Sequence, residues 1–246
     1  WDTSKYRLEK GTDGTDLSIT EDYVRVEGLQ IRFSASSLDY NYGINFSTVS
    51  TTGTDARISH NIIKGVISGT ATNMRGINAD GNLENLGNKI QIWNNIIYDF
   101  TGGGGTNYGI YSRGGTNYVY NNTAYNNNIG FYANSDGGNQ YKNNLANGNA
   151  TDYSGTFDAG ATNNISEDAT SPNGASYQGK IVAFADEAGD DFHLAAADTA
   201  AKNAGADLSA DANLAVTTDV EGYLRPTGAG VVDIGADEEG VTTIPS

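Results

Sequence analysis

The chain has 246 residues and a formal net charge of −16, with an apolar fraction of 37%. This charge argues against nucleic acid and anionic membrane surfaces as partners, because both attract Lys and Arg. The chain has no Cys, which excludes disulfides and thiolate metal sites, and no run of about 18 apolar residues, which argues against membrane insertion. Because it starts at Trp1 without Met, we expect that a signal peptide or an upstream domain has been removed.

A short phrase recurs from the first third of the chain onward: an apolar residue, two spacers, a central residue that is usually Asn, and often another apolar residue. Its central positions are Leu29, Asn61, Asn95, Asn122, Asn144 and Asn164. A second phrase, Gly followed by Ile or Phe, begins at Gly43, Gly76, Gly109 and Gly130. Two phrases that stay in phase, with spacings of 20 to 34 residues between the central positions, indicate a solenoid.

The periodicity within these phrases is that of strands. Apolar residues alternate with polar ones, as at Leu29, Ile31 and Phe33, and turn-forming residues bound each phrase. An amphipathic helical pattern with caps is absent from the sequence before 195–204. The sequence therefore predicts an all-β fold in which short strands of one repeat stack on those of the next.

The V-x-G-L-x-I opening (Val26 to Ile31) and the later N-N-I, N-N-T and N-N-L phrases resemble right-handed parallel β-helix proteins of the pectate lyase-like superfamily. The resemblance implies a single-stranded right-handed parallel β-helix of about six coils. In that architecture, the recurring Asn turns inward at the same bend of each coil and bonds to the Asn above and below it. We therefore predict a structural ladder of Asn61, Asn95, Asn122, Asn144 and Asn164.

The C-terminal stretch differs from the repeats. Its D-F-H-L, A-x-N-A-G, D-x-x-G-x-x-R-P and V-D-I-G-A-x-E phrases resemble the terminal segment of secreted bacterial and viral β-helix proteins. We predict one structural domain: an N-terminal cap with the first strands at 1–22, coils at 23–180, and a C-terminal capping segment at 181–246 that covers an open end. The charged residues of this segment are expected to pair with one another, and His193 to have a packing role between Phe192 and Leu194.

Candidate site residues lie on the Gly-Ile strands. If Ile44, Ile77, Ile110 and Phe131 point inward, the residues that follow them point outward. One outward column then contains Asn45, Asn78, Tyr111 and Tyr132, and a second contains Ser47, Asp80, Arg113 and Asn134. Such a patch suits polysaccharide, because Tyr stacks on sugar rings, amides bond hydroxyls, and Arg binds a uronate carboxylate through two hydrogen bonds.

Polysaccharide lyases of the superfamily typically use carboxylate-bound Ca²⁺ and an Arg or Lys base. By resemblance, Asp80 is a candidate Ca²⁺ ligand and Arg113 a candidate base or clamp, and these two are the candidate catalytic residues of a lyase acting on uronate glycans. The columns depart from the lyase pattern because Asp80 is their only carboxylate, although Asp99 and Asp136 lie in neighbouring turns. The alternative is that Asp80 and Arg113 form a surface ion pair on a solvated strand.

The sequence thus predicts an extracellular, cell-surface or virion-associated protein that contacts polysaccharide as a binding module or as a lyase-like enzyme. The alternative is a purely structural or adhesive scaffold without catalytic activity, either monomeric or part of a larger surface or tail assembly. The stacked apolar and Asn columns lead us to expect high thermal stability.

Overall fold

The computed structural model describes residues 2–11, 13–37, 39–47, 55–80, 89–134, 138–228 and 231–245. In this part of the chain, the helical residues are two single-turn 3₁₀ segments, Ala175–Tyr177 and Glu187–Gly189. No helix among the described residues is long and apolar enough to cross a bilayer. The remaining regular structure consists of strands.

The strands in chain order are β1 (Leu8–Glu9), β2 (Leu17–Ile19), β3 (Arg25–Glu27), β4 (Gln30–Ala35), β5 (Tyr42–Ser47), β6 (Asp55–Ser59), β7 (Ile62–Ile67), β8 (Arg75–Asp80), β9 (Lys89–Trp93), β10 (Ile96–Tyr98), β11 (Tyr108–Arg113), β12 (Thr116–Tyr120), β13 (Thr123–Tyr125), β14 (Ile129–Ala133), β15 (Gln140–Lys142), β16 (Leu145–Asn147), β17 (Thr151–Gly155), β18 (Ile165–Ser166), β19 (Phe184–Asp186) and β20 (Asp191–Leu194). All pairings among β1 to β18 are parallel, whereas β19 and β20 pair antiparallel. The named strands therefore form a parallel part followed by a short antiparallel hairpin.

Three parallel sheets form the solenoid. Sheet 1 has the order β1-β4-β7-β10-β13-β16-β18, sheet 2 has β2-β5-β8-β11-β14-β17, and sheet 3 has β3-β6-β9-β12-β15. Consecutive strands of the chain lie in different sheets, and each strand up to β13 pairs with the strand three places later, as one coil of three strands requires. The predicted all-β parallel β-helix is confirmed.

The inward columns form the core. In sheet 2, Ile44, Ile77, Ile110 and Phe131 are in register and fully buried, as expected from the sequence. Each such side chain contributes about 1.5–3 kcal/mol when buried. The glycine that precedes each of them also faces the core: a Cβ on Gly76 would lie 2.4 Å from Ile97 Cγ2 and 2.8 Å from the Gly109 carbonyl oxygen. The Gly-Ile phrase therefore recurs because the neighbouring coil's backbone and the core side chains leave no room for a side chain at the glycine.

The predicted Asn ladder is confirmed, and its five members are fully buried. Asn95 Nδ2 donates to Asn122 Oδ1 at 3.0 Å, and Asn122 Nδ2 donates to Asn144 Oδ1 at 3.1 Å. Each ladder amide also donates to a carbonyl one coil earlier, as Asn122 Nδ2 does to Ile92 O at 2.9 Å. The ladder continues one step beyond the prediction, because Asn164 donates to Asn173 Oδ1.

The residue before each ladder Asn has a left-handed backbone, which explains why Asn-Asn pairs recur. The φ angles are 56° at His60, 52° at Asn94, 49° at Asn121, 53° at Asn143 and 53° at Asn163. Asn tolerates this conformation better than other residues with a Cβ. The first Asn of each pair adopts the left-handed conformation of the turn. The second Asn makes hydrogen bonds to backbone groups inside the turn.

The C-terminal segment lies along the side of the solenoid. Val182, Phe184, Phe192 and Leu194 pack on the outward side chains of sheet 1, and Leu208, Leu214 and Val216 pack on those of sheet 3. Between the two sheets, the segment bonds to the left-handed asparagines, as when Asn143 Nδ2 donates to Ala206 O at 2.8 Å. In the described part of the chain, these hydrogen bonds and apolar contacts involve sheets 1 and 3 and leave out sheet 2. The predicted closing of an end by this segment stays a prediction.

Asp16, near the N-terminal end of the solenoid, is expected to make the stability of the protein depend on pH. Its two carboxylate oxygens are buried and have no hydrogen-bond partner among the described residues, and burial raises its pKa to about 7. A raised pKa means that the folded state holds the proton, so this group's stabilisation is present below about pH 4 and is lost as the pH rises towards 7. We expect Asp16→Asn to stabilise the protein by about 1–2 kcal/mol at pH 8 and to leave its stability unchanged at pH 4. The effect at pH 8 is smaller than the full pKa shift implies, because Asp16 is partly exposed to solvent.

Urea unfolding of the parent and of Asp16→Asn at both pH values measures this difference. Glu21→Gln, an exposed acid in the same region, is the control and is expected to change stability equally at both pH values. A stabilisation by Asp16→Asn that does not depend on pH would contradict the prediction.

Candidate functional site

The outward face of sheet 2 has the register expected from the sequence. Asn45 lies beside Asn78, Asn78 beside Tyr111, and Tyr111 beside Tyr132. In the second column, Asp80 lies between Ser47 and Arg113 in backbone register, and the side chain of Ser47 is outside the described part. Asn134 follows the end of β14, and its N–H donates to Ser112 O at 2.9 Å.

A third outward column, which the sequence analysis missed, lies at the start of these strands. Tyr42, Arg75 and Tyr108 are register neighbours. Strict alternation from Ile77 would turn Arg75 inward, but Gly76 and Ile77 both face the core, so the alternation is interrupted and Arg75 points outward. The only signal for this column in the sequence is the glycine that precedes each inward residue.

Arg75 organises the face. Its Cζ lies 3.5 Å from the ring centroid of Tyr111, 5.4 Å from that of Tyr42 and 5.8 Å from that of Tyr108. Such cation–π contacts stabilise by about 0.5–2 kcal/mol, more when the cation is desolvated, and Arg75 is only 7% exposed. One guanidinium N–H donates to Asn78 Oδ1, and Asn78 Nδ2 donates to Asn45 Oδ1 at 2.7 Å. The predicted amides and the unpredicted Arg75 therefore form one hydrogen-bonded group.

Tyrosine rings extend the face on both sides of Arg75. Tyr111 and Tyr132 stack at 4.8 Å with an interplanar angle of 15°, and the Tyr108 ring meets both edge-on. Tyr111 is only 9% exposed, whereas Tyr132 and Tyr108 are partly exposed. The Tyr40 ring centroid lies 5.9 Å from Arg75 Cζ, and Tyr40 is 57% exposed. The solvent-facing surface is therefore formed by Tyr40, Tyr42, Tyr108 and Tyr132, which we call, together with Arg75, the tyrosine face.

Asp80 and Arg113 lie beside the tyrosine face. They are register neighbours, but within the described ranges no salt bridge joins them, so the expected surface ion pair is not formed. Burial raises the pKa of Asp80, while the nearby charges of Arg113 and Arg75 lower it. Arg113 Nε is buried without a hydrogen-bond partner among the residues described. Asp80 and Arg113 are thus close enough to interact electrostatically but not close enough to form a salt bridge.

The other groups considered for a Ca²⁺ site lie elsewhere or outside the described residues. Asp99 is on the sheet 1 side, where its carboxylate is 3.7 Å from Lys64 Nζ and accepts a hydrogen bond from Asn126. Asp136 is outside the described residues. Among the residues that are described, the one group of three His or acidic side chains with metal-ligand spacing is away from Asp80 and lies in the C-terminal segment.

Comparison of the chain with protein-family models, with curated proteins and with solved structures gave no significant match. The resemblance to the pectate lyase-like superfamily therefore stays a prediction, and the assignment of a parallel β-helix rests on the strand pairing and the Asn ladder described above.

Proposed function

We propose that the protein binds a polysaccharide through the tyrosine face of sheet 2. The observation that carries the proposal is a row of partly exposed tyrosines around Arg75 on the sheet that lacks contacts from the described C-terminal segment. The same segment covers apolar side chains on the outward faces of sheets 1 and 3. Binding outside the cell, on a cell surface or on a virion is part of this proposal.

The side chains of this face suit a sugar polymer. Aromatic rings present apolar surface to the C–H groups of a sugar ring, and a few fixed polar groups then set its orientation. The stack of Tyr111 and Tyr132 continues across neighbouring coils, which suits a chain of linked sugars better than a single small molecule. Asn45 and Asn78 are already joined to Arg75, so the polar groups of the face are held in place before a ligand arrives.

The local charge favours a uronate over a neutral sugar. On a protein with a net charge of −16, Arg75 and Arg113 place two guanidinium groups beside the single carboxylate of Asp80. Arg75 is covered by tyrosine rings, whereas Arg113 is partly exposed and forms no salt bridge within the described residues. A uronate carboxylate would therefore bind to Arg113, with charge-assisted hydrogen bonds.

Binding to uronate and neutral polysaccharides by affinity electrophoresis and calorimetry tests the proposal. We expect Tyr132→Ala to weaken binding of every retained glycan by about tenfold, because it removes one stacking surface. Arg113→Ala is expected to weaken uronate binding by a similar factor and to leave neutral glycans unaffected. Tyr6→Ala, which removes a fully exposed tyrosine at the N-terminus, is the matched control. Equal retention of the parent and Tyr132→Ala, or no retention at all, would support the alternative of a structural or adhesive scaffold.

A lyase-like reaction is the second candidate function, and the adjacency of Asp80 and Arg113 on the same face favours it. The absorbance of an unsaturated uronate product, followed with and without Ca²⁺, tests it on the same panel of glycans. Calcium-dependent activity that is lost in both Asp80→Ala and Arg113→Ala would assign these two residues to catalysis. Binding without product would leave them as binding residues.

A further inference from the structure

Strand β20 presents two polar side chains away from the core of the C-terminal segment. Its alternation buries Phe192 and Leu194 and turns Asp191 and His193 to the other side. The His193 side chain is 41% exposed, so the packing role expected for it is wrong. The alternation of side chains along the strand D-F-H-L predicts that His193 points away from the core, whereas its apolar neighbours do not.

His193 faces two carboxylates that come from distant parts of the segment. One ligand atom each from His193, Glu221 and Asp237 lie within 4.8 Å of one another. His193 Nε2 is 3.4 Å from Glu221 Oε2. Asp237 is buried, and its Oδ2 accepts a hydrogen bond from Leu194 N–H at 2.7 Å, which fixes the carboxylate beside β20.

The other ring nitrogen of His193 is held by Asp191. The Nδ1 atom is hydrogen-bonded to Asp191 Oδ1, and Asp191 also accepts the backbone N–H of His193. A carboxylate that binds one imidazole nitrogen fixes the tautomer and the ring orientation and leaves the other nitrogen to bind a metal ion. Here the nitrogen that remains, Nε2, is the one that faces Glu221.

A further carboxylate near this cluster also lacks a full set of partners. Asp219 is fully buried, and its Oδ1 accepts the N–H groups of Glu221 and Tyr223, which positions the turn that carries Glu221. Its Oδ2 is buried with no hydrogen-bond partner in the described part of the chain. A buried carboxylate oxygen without a partner, on the residue that fixes the Glu221 turn, is a position where a bound cation would supply the missing interaction.

We propose that His193, Glu221 and Asp237 bind a divalent first-row transition-metal ion, with Zn²⁺ as the representative ion. One imidazole nitrogen and two carboxylate oxygens form a donor set typical of zinc sites with three protein ligands, which keep a fourth position for water or a ligand. Ca²⁺ and Mg²⁺ prefer sites built from oxygen alone. Both His193 and Glu221 line a cleft of about 570 Å³ between sheet 1 and the C-terminal segment, and the fourth position would open into it.

Calorimetric titration of the full chain with ZnCl₂ tests this site, since the chain has only two histidines. We expect one equivalent of Zn²⁺ to bind, and His193→Gln and Glu221→Gln each to weaken binding at least tenfold. Both side chains are partly exposed, so these variants are expected to fold, and circular dichroism checks that they do. His60→Asn is the matched control, because Asn occupies the equivalent position in later coils and His60 lies in the same cleft without belonging to the cluster.

Two further measurements distinguish this site from a weak surface site. X-ray absorption of the Zn²⁺-loaded His60→Asn variant is expected to show one imidazole ligand, which can then come only from His193. Asp191→Asn, which alters the group positioning His193, is expected to weaken Zn²⁺ binding by about tenfold without changing the number of sites. Unchanged Zn²⁺ affinity in His193→Gln, loss of binding in His60→Asn, or stronger binding of Ca²⁺ than of Zn²⁺ would overturn the proposal.

Discussion

Replacing Asn122 by Ala is expected to lower the free energy of unfolding by about 3–5 kcal/mol. Asn122 lies in the middle of the ladder, where its Oδ1 accepts hydrogen bonds from both the N–H and the Nδ2 of Asn95. Its own Nδ2 donates to Ile92 O, Tyr120 O and Asn144 Oδ1. The alanine variant leaves buried donors of Asn95 without an acceptor, and each such group costs about 1–3 kcal/mol.

Equilibrium unfolding in guanidinium chloride measures this effect, and Asn213→Ala provides the control. Asn213 is exposed, and its side-chain amide donates a 3.3 Å hydrogen bond to Gln140, so its replacement is expected to change stability by less than about 0.5 kcal/mol. Similar losses in the two variants would mean that the ladder does not stabilise the solenoid through its hydrogen bonds.

Replacing Arg225 by Met is expected to lower the free energy of unfolding by a similar amount, about 3–5 kcal/mol. The Arg225 side chain is 3% exposed and pairs with the equally buried Glu238 at 2.8 Å. Its guanidinium also donates to the carbonyl oxygens of Thr218, Gly235 and Ala236. It therefore joins the stretch around Thr218 to the stretch from Gly235 to Glu238. The methionine would leave Glu238 as an uncompensated buried charge.

A double-variant cycle separates the ion pair from the other contacts of Arg225. We expect the combination of Arg225→Met with Glu238→Gln to be less destabilised than the sum of the two single variants, since it leaves no lone buried charge. The matched surface pair is Arg57 and Asp55, whose side chains are about one-third exposed, and Arg57→Met is expected to cost less than about 1 kcal/mol. Additive losses in the Arg225 cycle would contradict a direct interaction between the two charges.

The parts of the fold that follow from local periodicity could be predicted from the sequence. The Asn ladder, the inward isoleucine column and the outward column from Asn45 to Tyr132 each repeat once per coil. Several coils therefore give independent evidence for the direction in which each side chain points. Asn173 escaped prediction because it follows Asn164 after only nine residues, a spacing that does not match the earlier repeats.

The candidate site was only partly predictable, because its centre depends on an interruption of the strand alternation at Gly76. Alternation assigns Arg75 to the core, and only the inward position of Gly76 turns it outward to Tyr111. The His193 cluster could not be predicted from spacing, since Glu221 and Asp237 are brought to β20 by tertiary packing over 28 and 44 residues of chain. Such contacts leave no periodic pattern in a single sequence.

The sideways position of the C-terminal segment has a consequence for synthesis on the ribosome. Pairing between coils joins residues 20 to 34 positions apart at the ladder, so each coil can pair soon after it emerges. The segment, by contrast, bonds to residues of the coils up to 158 positions earlier, as Thr218 does to His60. Until residues 181–245 have been translated, the apolar stripe of Ile96, Leu145 and Ile165 is bare. We therefore expect nascent chains to pass through a stage at which the coils are formed but their outer surface promotes aggregation.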